Sequence, residues 1–197
     1  IGPFYQMNRD QVLQAAVLSL ILGAERNLAH AAQGSHRPLS EDYEALGIFG
    51  ECKFASDFGL RVDRTLRLGG DDGIDFHTGL GTVDVKTARK PGNLIVETTK
   101  IERAADILVL CKFSGFTIEP ELLGWEVRAA LAAAPTRDFG YGVINHYIPA
   151  ESLRPMKQLH DLMARANQPS DEMGRCHRHG DYAGLTCLLC EVETAVW

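Results

Sequence analysis

The sequence predicts an α/β domain in which strands follow two helices, with a small metal-binding segment after it. Three observations carry that reading. Helical periodicity fills residues 8–32 and 40–57. Strand-like runs separated by glycine and proline turns follow from residue 73 onward. One run, DILVLCKF at residues 106–113, is almost unbroken apolar sequence, as a buried central strand requires. At 197 residues the chain is long enough for one such domain with a substantial core.

In the first helix, Val12, Ala15, Ala16, Ser19, Leu20 and Gly23 recur at spacings of three and four, with Leu13, Val17 and Leu28 widening the stripe. The break GSHRP at residues 34–38 ends it. Ser40 is placed to cap a second helix whose first turn holds Glu41 and Asp42, where the helix dipole favours acids. That helix carries Tyr43, Leu46, Gly47, Gly50 and Phe54 on one side and runs to about residue 57, with Glu51 near that side. Strands are expected at residues 73–77, 82–87 and 93–97 as a meander, then at 106–113 and 116–123. A short helix at 125–134 ends at Pro135, and 143–148 reads as an edge strand. A helix over 152–167 has Leu153, Met156, Leu159, Leu162 and Met163 on one face. The linker QPSD at 168–171 then divides a main domain, 1–168, from a C-terminal segment, 169–197.

A composition of 45% hydrophobic and 23% charged residues with no low-complexity tract is that of a soluble globular protein. The longest apolar run, 15–24, is interrupted by Ser19 and Gly23 and is too short to span a bilayer, so no membrane partner is expected. The N-terminus has neither a basic region nor a cleavage-site pattern, which predicts a cytoplasmic protein; Met7 is a candidate native start. A net charge of −6 argues against coating nucleic acid by charge alone. Local basic groups remain: Arg61, Arg64 and Arg67, then Arg89 and Lys90, then Lys100 and Arg103.

The chemistry concentrates in residues 69–87, GGDDGIDFHTGLGTVDVKT. Asp71 and Asp72 sit in a glycine turn, where aspartate is at home without a function. Asp75 lies between Ile74 and Phe76, which a turn does not explain. Asp84 and Lys86 flank Val85, so strand alternation projects both from one face. If the two strands pair through the turn at 79–81, both aspartates can meet one divalent ion. Carboxylates suit Mg²⁺ or Mn²⁺, and a nearby ammonium can orient or help deprotonate a water, or stabilise developing negative charge. His77 and Thr87 flank the set and read as packing residues.

A helix glutamate, an aspartate, an Asp-x-Lys and a mostly apolar strand, in that order over residues 40–113, resemble the PD-(D/E)xK, restriction-endonuclease-like nuclease superfamily. Ile74 stands where that motif has proline. The resemblance implies a central mixed β-sheet flanked by helices and a Mg²⁺- or Mn²⁺-dependent hydrolase cutting DNA. Asp75 and Asp84 would be metal ligands, Glu51 would bind the metal directly or through water, and Lys86 would help activate the nucleophile. It further implies a stand-alone nuclease of the phage, mobile-element or repair kind, in a bacterium or phage-infected cell. The apolar first helix would serve either a homodimer or the core. The alternative is a non-catalytic DNA- or protein-binding module with the same fold.

The five cysteines divide. Cys52 and Cys111 stand alone in apolar surroundings and read as core. Cys176-x2-His179, seven residues, then Cys187-x2-Cys190 supply four ligands in two close pairs, as tetrahedral structural Zn²⁺ needs. His177 is the alternative to His179. Some nucleases of the superfamily hold an iron–sulfur cluster instead, for which Cys52 or Cys111 with Cys176, Cys187 and Cys190 would be the ligands.

Overall fold

The computed structural model describes residues 6–32, 42–65, 73–140 and 142–166, and the backbone of a hairpin formed by Met173–Cys176 and Gly180–Ala183. Two helices come first, α1 (Arg9–Ala32) and α2 (Tyr43–Phe58). α1 buries Val12, Ala15, Ala16, Ser19 and Leu22. The Ser19 hydroxyl donates to the Ala15 carbonyl at 2.7 Å, which satisfies it inside the apolar face. By length and mean hydropathy (1.3) the stretch Arg9–Ala29 is long and apolar enough to cross a membrane; here its buried stripe lies against α2.

Glycine permits the close helix crossing. A Cβ on Gly23 would lie 2.6 Å from the Ala45 backbone nitrogen, so no larger residue fits where α1 meets α2. α2 is buried almost continuously from Ala45 to Ala55, because it is covered by α1 on one side and by a sheet on the other. That sandwiched position buries Glu51 and Lys53 along with the apolar residues. Asp42, not Ser40, occupies the position before the helix, without a side-chain capping bond; Ser40 lies outside the described residues.

Behind α2 lies a four-stranded mixed sheet in the order β1 (Phe76–Thr78), β2 (Gly81–Ala88), β4 (Ile107–Lys112), β5 (Glu121–Val127). β1 and β2 are antiparallel, β2 and β4 parallel, and β4 and β5 antiparallel. Val83, Val85, Ile107, Val109 and Cys111 pack toward α2 and the last long helix, α4 (Met156–Ala166). Leu108 and Leu110 face the other way, toward Leu94 and Val96 of β3 (Asn93–Glu97), Ile101, and Leu131 of α3 (Arg128–Ala133). A second sheet, in the order β3, β7 (Ile144–Pro149), β6 (Thr136–Asp138), covers this side. The architecture is α/β, a mixed sheet flanked by helices.

Several local expectations are corrected. β3 does not continue a meander with β2; it pairs with β7, a partner more than forty residues away, and belongs to the second sheet. β7 is the middle strand of that sheet, not an edge. Trp125 is in β5 instead of a helix: fully buried, it exchanges two backbone hydrogen bonds with Arg154 and donates its indole N–H to the Pro155 carbonyl at 3.2 Å. After a 3-10 turn at Ala150–Ser152 the same bridge pairs Arg154, the residue before Pro155, so α4 starts only after that proline. The expected strand at 116–123 is displaced to Glu121–Val127.

Candidate active site

The site forms where β1 runs out along the edge of β2. β1 pairs only with Gly81–Val83. One residue before it, Asp75 donates its backbone N–H to the Val83 carbonyl at 2.9 Å, and its side-chain Oδ2 accepts from the Val85 N–H at 2.6 Å. A carboxylate thus takes the place of the next strand carbonyl. Gly73, with φ 76°, makes the preceding turn, close enough that an added Cβ would stand 3.7 Å from Asp84 Oδ2.

Asp84 is buried, and Lys86, on the same strand face, places Nζ 2.5 Å from its Oδ2. Val85 between them points into the core shared with α2. Glu51 arrives from α2. The helix can come this close because Gly50 lies against β2: a Cβ there would be 2.0 Å from the Thr87 hydroxyl oxygen. Glu51 Oε1 is 3.4 Å from Arg26 Nη1, a residue of α1 placed one turn after the Gly23 crossing. Arg26 is missed by sequence reasoning, since nothing in its helix distinguishes it from a surface arginine.

Three acids thereby gather with two cations. Burial pushes the Asp75 carboxyl well above the usual range, and the negative charges of Glu51 and Asp84 push the same way; the Val85 N–H and Lys86 offset this only in part. Burial works to lower Lys86, but Asp84, as charge and hydrogen-bond partner, outweighs it and holds the ammonium above its ordinary value. A lysine so placed is a cation at neutral pH.

A groove of about 700 Å³ contains Glu51, Asp75, Asp84 and Lys86 together. Hard oxygen donors of this kind suit Mg²⁺ or Mn²⁺. As placed, the carboxylates face Arg26, Lys86 and the Val85 N–H, and among the described residues no three His, Cys, Asp or Glu side chains stand as a ready ligand shell. His77 is exposed on β1, and Thr87 packs on Gly50 while lining the groove.

A second cavity of about 670 Å³ lies over a different ionic cluster, Lys53 with Asp57 at 2.7 Å and Glu119 at 2.6 Å. Glu119 also accepts from the Met7 N–H at 2.9 Å. These groups are paired with one another and tie α2 to the segment leading into β5, a structural role.

Of the proposed zinc ligands, Cys176 ends one strand of the hairpin, its backbone paired with Gly180. His177, His179, Cys187 and Cys190 lie outside the described residues. Cys52 and Cys111 are buried free thiols, raised by burial to about 11 and about 12. Comparison with protein-family models, with curated proteins and with solved structures finds no match to this chain.

Proposed function

We propose that the protein is a metal-dependent deoxyribonuclease that hydrolyses phosphodiester bonds, with a restriction-endonuclease-like core and a C-terminal segment braced by Zn²⁺ on Cys176, His179, Cys187 and Cys190. One observation carries the reading: the Asp75 carboxylate is fixed on the edge of β2 beside Asp84 and Lys86, with Glu51 brought in from α2. Core stability gives no reason to gather three acids in one groove, and unfavourable charge of this kind marks functional sites.

Asp75, Asp84 and Glu51 would hold Mg²⁺ or Mn²⁺. The bound ion supplies charge neutralisation at the phosphate and a water of lowered pKa. Asp75, anchored through Oδ2 by the Val85 N–H, keeps Oδ1 for the ligand without a rotamer search. Lys86, held protonated by Asp84, offers its N–H donors to the non-bridging phosphate oxygens and stabilises charge that builds as the water attacks. Arg26, 3.4 Å from Glu51 Oε1, pairs with that carboxylate at the groove.

The ion pairs that already neutralise Glu51 and Asp84 favour a second reading, a binding module of the same fold. Calorimetric titration separates the two. A nuclease site binds Mn²⁺, and Asp75→Ala abolishes that binding without disturbing tightly held zinc. A module shows no Mn²⁺ binding that depends on Asp75. Cleavage of linear, supercoiled, branched or single-stranded DNA with Mg²⁺ or Mn²⁺, lost in Asp84→Ala and Lys86→Ala, is the direct test.

A further inference from the structure

The groove is lined by aromatic and apolar side chains as well as by acids, and we propose that its aromatic lining is a stacking platform for an unpaired base, which makes single-stranded DNA or a frayed duplex end the substrate. This rests on the nuclease reading above. The acids come from α2, from β2 and from the residue before β1. The same groove is also lined by Tyr43 at the start of α2, Ile95 of β3 and Phe139 just after β6. Tyr43 is 42% exposed and Ile95 37%, so flat and apolar surface faces solvent beside a charged site.

Phe139 is held in place by its own turn. The Asp138 carboxylate accepts from the N–H groups of Gly140 at 2.8 Å and Gly142 at 3.2 Å, both glycines at positive φ. The ring stands perpendicular to Tyr147 at 5.6 Å, and the Arg137 guanidinium lies 5.7 Å from its centroid. An aromatic so fixed pays little ordering entropy when a base stacks on it.

In a double helix the base faces are used by one another, and a protein meets only phosphates and base edges. An aromatic in the same groove as the reacting phosphate therefore has no partner in a paired duplex, and gains one when the nucleotide is unpaired. Size agrees: about 700 Å³ lies in the range of pockets for drug-sized ligands, the scale of a nucleotide and its phosphates. Charge agrees as well. Arg26, Lys86 and Lys90 border the groove and suit a local backbone, while a net charge of −6 does not favour long contact with duplex phosphates.

The test is anisotropy binding of a labelled oligothymidylate and of a blunt hairpin duplex, in Ca²⁺, to wild type, Phe139→Ala, Phe139→Trp and Tyr43→Ala, each checked by thermal melting. Cleavage of both DNAs in Mg²⁺ or Mn²⁺ is measured alongside. Expected are tighter binding of the single strand, a loss of roughly 5- to 150-fold in Phe139→Ala, equivalent to ~1–3 kcal/mol, and retention in Phe139→Trp. Tyr43→Ala, which leaves the Asp138 turn intact, should show a loss of the same kind. Duplex bound as tightly as single strand, or single-strand affinity unchanged in Phe139→Ala, overturns the platform. Asp84-dependent cleavage would then leave the nuclease reading standing. Single-strand binding that depends on Phe139, with no cleavage of either DNA, supports the platform and overturns the nuclease reading.

Discussion

The carboxylate of Asp75 accepts a hydrogen bond from the backbone N–H of Val85 at 2.6 Å, filling a ladder position that a strand carbonyl would otherwise occupy. Extending β1 by one more paired residue would have satisfied Val85 without introducing charge. The chain instead places an acid there, next to Glu51 and Asp84, where burial and repulsion both oppose its ionisation. Position, not stability, is what this arrangement secures.

Asp75→Asn should therefore stabilise the protein in chelator while abolishing its activity. The amide oxygen can still accept from Val85. In the folded protein the Asp75 carboxyl titrates above its unfolded value of about 3.9, so the folded state holds its proton more tightly. The stability linked to this group is complete below the unfolded value and is lost as pH rises through the raised folded one. Thermal melts should show Asp75→Asn gaining about 2–4 °C per kcal/mol relieved at pH 8, shrinking toward nothing near pH 4. A lower melting temperature than wild type at pH 8 would contradict the charge argument.

Lys86 should act by charge. Because Asp84 holds its ammonium protonated against the effect of burial, no limb of the pH–rate profile below pH 9 should belong to it. Lys86→Gln should reduce kcat by about 10²-fold or more, as removal of an electrostatic donor does, and Lys86→Arg should recover part of that. A wild-type limb between pH 6 and 9 that disappears in Lys86→Arg would show proton transfer at Lys86 instead.

Gly50→Ala should push α2 away from β2, since its methyl would overlap the Thr87 hydroxyl. Overpacking of this kind costs roughly 1–3 kcal/mol, and the shift carries Glu51 out of the groove. Chemical denaturation should show that loss, and adding Thr87→Ala should restore most of both stability and activity. If the double variant is no better than Gly50→Ala alone, the close approach is not what positions Glu51.

Much of this architecture was legible in the sequence, and what was not has identifiable causes. Helix periodicity and the apolar run at 106–113 located α1, α2 and β4 because those signals are local. The run at 93–97 carries a strand signal but nothing that names its sheet, since its partner β7 is far away in sequence and only tertiary packing selects it. By sequence Trp125 reads as the start of a helix, yet a buried indole bonded to Pro155 belongs to a strand covered by α4. Asp84 with Lys86 could be read from alternation alone. Arg26 and Phe139 could not, because helix crossing and sheet pairing bring them to the groove from elements with no motif of their own.

The zinc proposal predicts a pattern of thiol reactivity. Burial keeps Cys52 and Cys111 neutral, with values raised to about 11 and about 12, so neither should react with a disulfide reagent at pH 8 in the native protein. Cys176, Cys187 and Cys190 should be protected until a strong chelator releases one equivalent of zinc, and should then all react. Release of iron, or full reactivity of these three before chelation, would remove zinc from the account.

The most direct test of the central claim is the Mn²⁺-dependent cleavage rate of single-stranded and duplex DNA by wild type and by Asp84→Asn, with both proteins shown to melt cooperatively. The predicted result is metal-dependent cleavage by the wild type and a loss of at least about 10²-fold in Asp84→Asn. No cleavage by a folded wild type with either Mg²⁺ or Mn²⁺, or cleavage that Asp84→Asn leaves intact, would contradict it.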